Sequence, residues 1–190
     1  LVIGAWNYPI QLLLNPALGS MAAGNCTILK PSEIAPNTAD LLSKIINNTF
    51  DDAYLHVVTG DAEVTQSLLQ EPLDYIFFTG SKTVGKKIMK AAAEQLTPLT
   101  LELGGKSPAI VDETADPKLA AKRISWGKFI NAGQTCVSPD YVYIHSSQKE
   151  EFCQHLITNI EEFYGENPKQ SSDYARVINR KHFDRLVKLI

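Results

Sequence analysis

The sequence has few cysteines and no clustered metal ligands. Among its 190 residues are three cysteines and four histidines. Three widely spaced cysteines do not make a disulfide framework, and free thiols are typical of a reducing compartment. No two histidines have the spacing of a metal-binding pair, and no Cys-x-x-Cys is present. The sequence therefore predicts no metal site.

Long apolar runs and strong charge of one sign are also missing. Without a stretch of about 18 consecutive apolar residues, we expect no transmembrane segment in this piece. The net charge is −3, with no block of like charges, which argues against a nucleic-acid partner or a membrane-surface binder. The apolar fraction of 44% and the charged fraction of 21% are typical of a globular protein.

Polar, fraying segments are absent from both ends of the chain. It starts in a strand-like run and ends inside a helical pattern. Domain termini usually carry such segments. We therefore expect an internal piece of a longer protein.

What the sequence does contain is an alternation of short apolar runs with longer amphipathic segments. The predicted strands are residues 1–3, 26–29, 55–59, 75–78, 99–101, 109–111 and 141–144. The predicted helices are residues 10–23, 37–50, 62–69, 83–96, 117–131, 148–164 and 181–190. Pro16 is expected to kink or divide the first helix. Asp61, Ser81 and Ser147 are the expected N-caps.

This alternation predicts βαβ units and a parallel sheet, and hence an α/β fold. In such sheets ligands bind beyond the carboxyl ends of the strands. We therefore expect the chemistry in the segments that follow the strands. These segments are GAWNYP, KPSE, TGD, TGSKTVG and ELGGK, together with NAGQTC after a helix.

Two of these segments are candidates for nucleotide contacts. Lys30 and Glu33 follow a buried strand and could hold a ribose, although a solvated ion pair explains them equally well. Gly80 and Ser81 open a helix whose free N–H groups could bind an anion. That motif is neither a G-x-G-x-x-G fingerprint nor a P-loop, so by itself it favours a simple capped turn.

A glutamate and an asparagine are candidates for catalysis. Glu102 lies between two leucines at the end of an apolar strand, and a carboxylate in apolar surroundings suits a general acid or base. The alternative is a solvent-facing Glu102 paired with Lys106. Asn7 follows the first strand and could donate to an oxyanion, or it could satisfy a turn before Pro9.

Cys136 is the cysteine whose neighbours are polar. It lies in a Gly-Gln-Thr-Cys turn, where backbone N–H groups could support a thiolate. Buried cysteines more often act as small apolar residues. We prefer that second interpretation for Cys26 and Cys153, because they lie on a predicted strand and a predicted helix.

Taken together, these segments resemble the aldehyde dehydrogenase superfamily. The family's motifs occur in its order, with 34 residues from Glu102 to Cys136. They are GAWNYP, AAGNCTILKPSE, FTGSKTVGKKI, LELGGKSP and FINAGQTCVSPDYV. The segments AWNYP and SPDYV and the tail FYGENPKQSSDYARVINRKHFDRL are most similar to the class-three branch of fatty-aldehyde and aromatic-aldehyde dehydrogenases.

The resemblance implies a role for each matching residue. Cys136 corresponds to the nucleophile, Asn7 to the oxyanion-hole amide, and Glu102 to the base that activates the deacylating water. The positions that correspond to cofactor contacts are Lys30 and Glu33 at the adenosine ribose, Gly80, Ser81 and Val84 near the pyrophosphate, and Gly105 near the nicotinamide. The family's E-x-F-G-P motif is absent, so we expect the active site to be incomplete here and that motif to lie beyond Ile190.

The same resemblance implies the organisation and the reaction. Residues 1–104 correspond to a Rossmann-like cofactor domain lacking its N-terminal part, and residues 105–190 to a catalytic domain lacking its C-terminal part. The implied activity is oxidation of medium-chain, long-chain or aromatic aldehydes to acids, with NAD as the first candidate cofactor and NADP as the second. The alternatives are a relative that passes the acyl group to coenzyme A or phosphate, and a catalytically silent member.

The remaining expectations concern assembly and location. The resemblance implies a homodimer of the full-length protein. It also implies a cytoplasmic location, or attachment to the cytoplasmic side of a membrane if a C-terminal anchor follows this segment.

Overall fold

The computed structural model describes residues 1–190, which form two compact units, Leu1–Gly104 and Gly105–Ile190. The division falls where the resemblance places a domain boundary. The functional roles assigned to the two units stay predictions.

The first unit is built on a parallel sheet of five strands in the order β3-β2-β1-β4-β5. Its strands are β1 (Val2–Ile3), β2 (Thr27–Lys30), β3 (Leu55–Val57), β4 (Ile76–Thr79) and β5 (Leu99–Glu102). Its helices are α1 (Gln11–Ala22), α2 (Pro36–Asn47), α3 (Ala62–Leu68) and α4 (Lys82–Glu94). The predicted α/β fold with a parallel sheet is confirmed.

The sheet of the first unit is covered on both faces, which explains why several of its strands come from apolar runs. Successive strand residues point to opposite faces, and Val2 and Ile3 belong to two different apolar clusters. The first cluster includes Leu13 of α1 and Leu42 of α2, whereas the second includes Ile88 of α4. The order of strands reverses beside β1, and such a reversal is where open α/β sheets bind ligands.

The second unit contains a two-stranded parallel sheet and three helices. Its elements are β6 (Ser107–Val111), α5 (Pro117–Phe129), β7 (Pro139–Ile144), α6 (Lys149–Tyr164) and α7 (Arg180–Val187). Val111, Ala121 and Phe152 form the centre of its core. No helix in either unit has the length and apolar character needed to cross a membrane.

All predicted elements are present, with ends that differ by at most three residues. Asp61 and Ser81 are N-caps as predicted: Asp61 accepts from the N–H groups of Glu63 and Val64, and Ser81 accepts from that of Val84.

Two local predictions were wrong or only partly met. Ser147 does not cap α6. It lies in a short 3-10 turn and its hydroxyl pairs with Nδ1 of His145 at 2.8 Å, so it is not available to the helix. Pro16 does not divide α1, which continues through it from Gln11 to Ala22. Packing of Leu13 and Ala17 into the core holds the helix together across the missing N–H donor.

Candidate active site

In the first unit, the predicted site residues follow the carboxyl ends of four strands. Asn7 lies in the bend after β1, Lys30 ends β2, Ser81 follows β4, and Glu102 ends β5. Because neighbouring strands are parallel, these ends share one edge of the sheet. The fold thus brings together side chains that are up to 95 residues apart in the sequence.

Lys30 is a buried lysine, which is rare unless the charge is paired. Its residue is 1% exposed, whereas the Glu33 side chain is 49% exposed. The Nζ atom donates to the carbonyl oxygen of Pro31 at 2.9 Å and lies 3.6 Å from Oε2 of Glu33. Burial lowers the pKa of Lys30, and Glu33 offsets part of that effect. The sequence left open a fully solvated ion pair. The structure shows instead a buried lysine beside an accessible carboxylate.

The start of α4 is a capped helix terminus with a close backbone approach. The amide of Gly80 donates to the carbonyl oxygen of Glu102 at 2.9 Å. A Cβ atom at Gly80 would lie 2.5 Å from Cζ of Phe78, so a larger residue there would force that ring to move. Val84, one turn into the helix, is 43% exposed. The terminus is therefore accessible, as a helix terminus that binds an anion must be.

Of the two surroundings considered for Glu102 from the sequence, the structure shows the solvent-facing one and not the apolar one. Glu102 is exposed, because β5 is the edge strand and the two neighbouring leucines turn toward the apolar cluster instead. The alternative partner was also wrong: Lys106 pairs with Asp140, not with Glu102. That ion pair raises the pKa of Lys106 and lowers the pKa of Asp140.

In the second unit, Cys136 lies in a turn just before β7 and is partly buried. The turn is closed by the amide of Ser138, which donates to the carbonyl oxygen of Thr135 at 3.1 Å. The Ser138 hydroxyl reaches back to the carbonyl oxygens of Gly127 and Lys128 at 3.3 and 3.4 Å. The polar turn predicted around Cys136 is thus tied to the end of α5.

Gly105 approaches this turn closely. A Cβ atom at residue 105 would lie 2.6 Å from the carbonyl oxygen of Cys136, closer than a real Cβ atom comes to a neighbouring atom. A Cβ atom at the adjacent Gly104 would have no atom within 4 Å. Of the paired glycines in the sequence, only Gly105 is required by contact with the cysteine turn.

A left-handed turn precedes the cysteine. Asn131 and Ala132 both have φ of 53°, and Gly133 has φ of 73°. A left-handed conformation disfavours residues with a Cβ atom by about 1–2 kcal/mol each. Such strain persists only where neighbouring contacts hold it in place.

Gln134 makes those contacts, and the sequence did not single it out. Its Nε2 atom donates to the carbonyl oxygens of Asn131 at 2.9 Å and Arg176 at 3.1 Å. Its Oε1 atom accepts from the amide of Ile178 at 2.9 Å. The only sequence signal was its position two residues before Cys136, since its partners Arg176 and Ile178 lie 42 and 44 residues away.

The other two cysteines are exposed, so the expectation that they act as small buried residues was wrong. Cys26 immediately precedes β2 instead of lying within it. Cys153 lies on the outward face of α6, where its neighbour Phe152 takes the buried position.

Comparison with known proteins decides the family. A sequence model of the Aldehyde dehydrogenase family matches residues 1–190. The chain belongs to this family. The resemblance seen in the motifs of this aldehyde dehydrogenase chain is thereby confirmed.

Three relatives of this aldehyde dehydrogenase chain illustrate the match. The 4,4'-diaponeurosporen-aldehyde dehydrogenase of Staphylococcus aureus is 53% identical over 100% of the chain and 41% of the relative. The dimeric NADP-preferring aldehyde dehydrogenase of Mus musculus is 51% identical over 100% of the chain and 42% of the relative. The solved structure of a Mycobacterium tuberculosis aldehyde dehydrogenase complexed with NAD+ is 32% identical, with a TM-score of 0.86, over 99% of the chain and 40% of that structure.

The chain therefore spans about two fifths of the length of the curated relatives it matches.

Proposed function

We propose that the protein oxidises aldehydes to carboxylic acids with NAD+ or NADP+, through a thioester on Cys136. The observation that carries the proposal is that a chain 53% identical to a named aldehyde dehydrogenase retains Cys136, Asn7 and Glu102 at the family's motif positions. A cysteine nucleophile, an oxyanion donor and a base are the three groups that this reaction needs.

The residues of the first unit fit a dinucleotide. Lys30 and Glu33 offer a donor and an accessible acceptor for ribose hydroxyls, and the open N-terminus of α4 after Ser81 suits a pyrophosphate. The names of the relatives support both cofactors, since one is NADP-preferring and another was solved with NAD+. When bound, the oxidised nicotinamide supplies the acceptor for the hydride that leaves the substrate carbon.

The proposed role of Cys136 begins with attack of its Sγ atom on the aldehyde carbon, which forms a thiohemiacetal. The amide of Asn7 and the backbone N–H of Cys136 donate to the oxyanion as negative charge develops there. Loss of hydride from the substrate carbon leaves a thioester on Cys136.

The proposed role of Glu102 is to take a proton from water. The water oxygen attacks the thioester carbon, the carboxylic acid is released, and the Cys136 thiolate is regenerated. Exposure of Glu102 lets a water molecule reach its carboxylate. A relative that passes its acyl group to coenzyme A or phosphate does not need this base, so its presence favours hydrolysis.

We further infer that the substrates are medium-chain, long-chain or aromatic aldehydes. This inference is supported by the relative named 4,4'-diaponeurosporen-aldehyde dehydrogenase.

We also infer that the full-length protein is a homodimer. The relative from Mus musculus is named as a dimeric enzyme, which supports this inference.

The proposal is tested by replacing the nucleophile in the intact protein. Cys136→Ser is expected to abolish aldehyde-dependent reduction of NAD+ and to leave NAD+ binding unchanged, because a serine hydroxyl without an adjacent base is a weak nucleophile. Cys153→Ser removes an exposed thiol from the same unit and is the matched control, expected to retain full activity. Turnover by Cys136→Ser equal to that of the control would refute the mechanism.

A further inference from the structure

The side-chain amide of Gln134 connects two segments that are distant in the sequence. Its Nε2 atom donates to the carbonyl oxygens of Asn131 and Arg176, and its Oε1 atom accepts from the amide of Ile178. One primary amide thus contacts the left-handed turn on one side and the backbone of residues 176–178 on the other. The partner atoms in these three bonds belong to the backbone.

Residues 169–178, which we call the strap, are themselves held in place. The Arg176 guanidinium donates to the carbonyl oxygens of Lys169 at 2.8 Å and Ser171 at 3.2 Å, which closes the strap on itself. The ring of Tyr174 packs against Tyr164 with centroids 5.0 Å apart and against Phe129 at 6.5 Å. The strap is therefore anchored to the ends of α5 and α6 independently of Gln134.

The turn on the other side of Gln134 is strained. Residues 131–133 have positive φ, and two of them carry a Cβ atom. Strained backbone relaxes when the contacts that hold it are removed. Gln134 is both the residue that leaves this turn and the residue that holds it, since its own amide and its Nε2 atom both donate to the carbonyl oxygen of Asn131. Cys136 follows two residues later.

We propose that Gln134 is a positioning residue for Cys136: by joining the strained turn to the anchored strap, it fixes the direction of the Cys136 thiol and backbone N–H. This inference rests on the proposed function, in which that N–H donates to the oxyanion. If the turn relaxes, the peptide planes of residues 134–136 rotate and the N–H no longer points at the substrate oxygen. The thiol itself remains present and partly accessible.

The proposal separates two reactions of the same thiol. Attack on an aldehyde needs the oxyanion donor, whereas displacement of iodide from iodoacetamide does not. For Gln134→Ala we expect the pre-steady-state burst of reduced cofactor to slow by about tenfold to hundredfold, the effect of a misplacement of about 1 Å. The rate of Cys136 alkylation is expected to change by less than about threefold.

Gln134→Glu sharpens the test, because it keeps the length of the side chain. Its ionised carboxylate can still accept from the amide of Ile178 but cannot donate to the carbonyl oxygens of Asn131 and Arg176. We expect it to slow the burst at least as much as Gln134→Ala. A burst as fast as that of the wild type would overturn the proposal.

Gln148→Ala is the matched control. Gln148 also uses its Nε2 atom to donate to two backbone carbonyl oxygens of the second unit, those of Glu113 at 3.1 Å and Ala115 at 2.8 Å. It is twelve residues from Cys136 in the sequence. We expect its Tm to fall about as much as that of Gln134→Ala, with burst and alkylation rates unchanged. If burst and alkylation fall together in Gln134→Ala, or if Gln148→Ala shows the same slow burst, the residue is merely structural and the proposal is wrong.

Hydrogen exchange gives a readout that does not require activity. The amides of residues 131–136 are expected to exchange faster in Gln134→Ala than in the wild type or in Gln148→Ala, because the strained turn opens more often. Unchanged exchange would overturn the positioning role. Absence of aldehyde-dependent NAD+ or NADP+ reduction by the wild type would instead refute the proposed function, while hydrogen exchange would still decide whether Gln134 holds the turn.

Discussion

Gly105→Ala tests the approach of one backbone segment to the cysteine turn. The added methyl group would lie 2.6 Å from the carbonyl oxygen of Cys136, with Oγ of Ser107 at 3.4 Å from it. The φ angle of Gly105 is not in the left-handed region, so alanine is compatible with the local backbone conformation. The collision with Cys136 is therefore the expected effect of this substitution.

The size of the displacement follows from these distances. Real Cβ atoms essentially never come closer than 3.0 Å to such a neighbour, and 3.4 Å is ordinary contact. The Cys136 carbonyl or the Gly105 backbone must therefore move by 0.4 to 0.8 Å, the differences between these limits and 2.6 Å. Since a shift of about 1 Å at a reacting centre can slow catalysis about 100-fold, we expect kcat/KM to fall by about tenfold to 100-fold, or about 1.4–2.7 kcal/mol.

The assay compares aldehyde-dependent NADH formation by the intact wild-type protein, Gly105→Ala and Gly104→Ala. Gly104→Ala adds the same methyl group where no atom lies within 4 Å, and its φ is likewise outside the left-handed region. It is expected to retain activity within about twofold, as an exposed substitution does. Equal activity of the two variants would refute the reasoning, because the methyl group at residue 105 would then have displaced nothing that catalysis needs.

Two further predictions concern the first unit. Glu102→Gln is expected to preserve the burst of reduced cofactor and to slow the steady-state rate by about 100-fold or more, since only deacylation uses the base; equal loss in burst and steady state, seen by stopped flow, would contradict that role. Lys30→Met is expected to weaken NAD+ binding by about tenfold while leaving stability unchanged or raising it by about 1 kcal/mol. Because burial lowers the pKa of Lys30 below 10.5, the unfolded chain holds this proton to higher pH than the folded protein does, and stability gains a contribution as the pH rises toward 10.5. In Lys30→Met, the free energy of unfolding measured by denaturant titration should no longer gain this contribution as the pH rises toward 10.5. If it rises with pH as steeply as in the wild type, Lys30 is not the buried charge that causes the rise.

Local patterns were reliable where a single strand or helix decides the outcome. Strands β2 and β4 were predicted from apolar runs. They are covered on both faces, and such strands need apolar residues at successive positions, so their composition identifies them. Asp61 and Ser81 cap their helices because capping depends on neighbours two or three residues away. The prediction that Ser147 is an N-cap was wrong, because its hydroxyl pairs with Nδ1 of His145 and not with an N–H group of the helix.

Exposure was less predictable, because it depends on what the rest of the fold covers. The sequence left open whether Glu102 lies in apolar surroundings or faces solvent, and its place on the edge strand β5 leaves it exposed. Cys26 and Cys153 were expected to be buried, yet both are exposed. In contrast, Lys30 belongs to a residue type that is mostly exposed, and the end of β2 buries it.

By itself, the sequence determined the α/β class, the approximate limits of each element and the family, because these depend on short-range patterns and ordered motifs. The tertiary structure decided which residues hold the candidate nucleophile in place. Gln134 meets the strap only after the chain has returned past α6, and Gly105 meets the Cys136 carbonyl across about 30 residues. Contacts of that separation depend on packing of whole helices, which no local pattern of residues records.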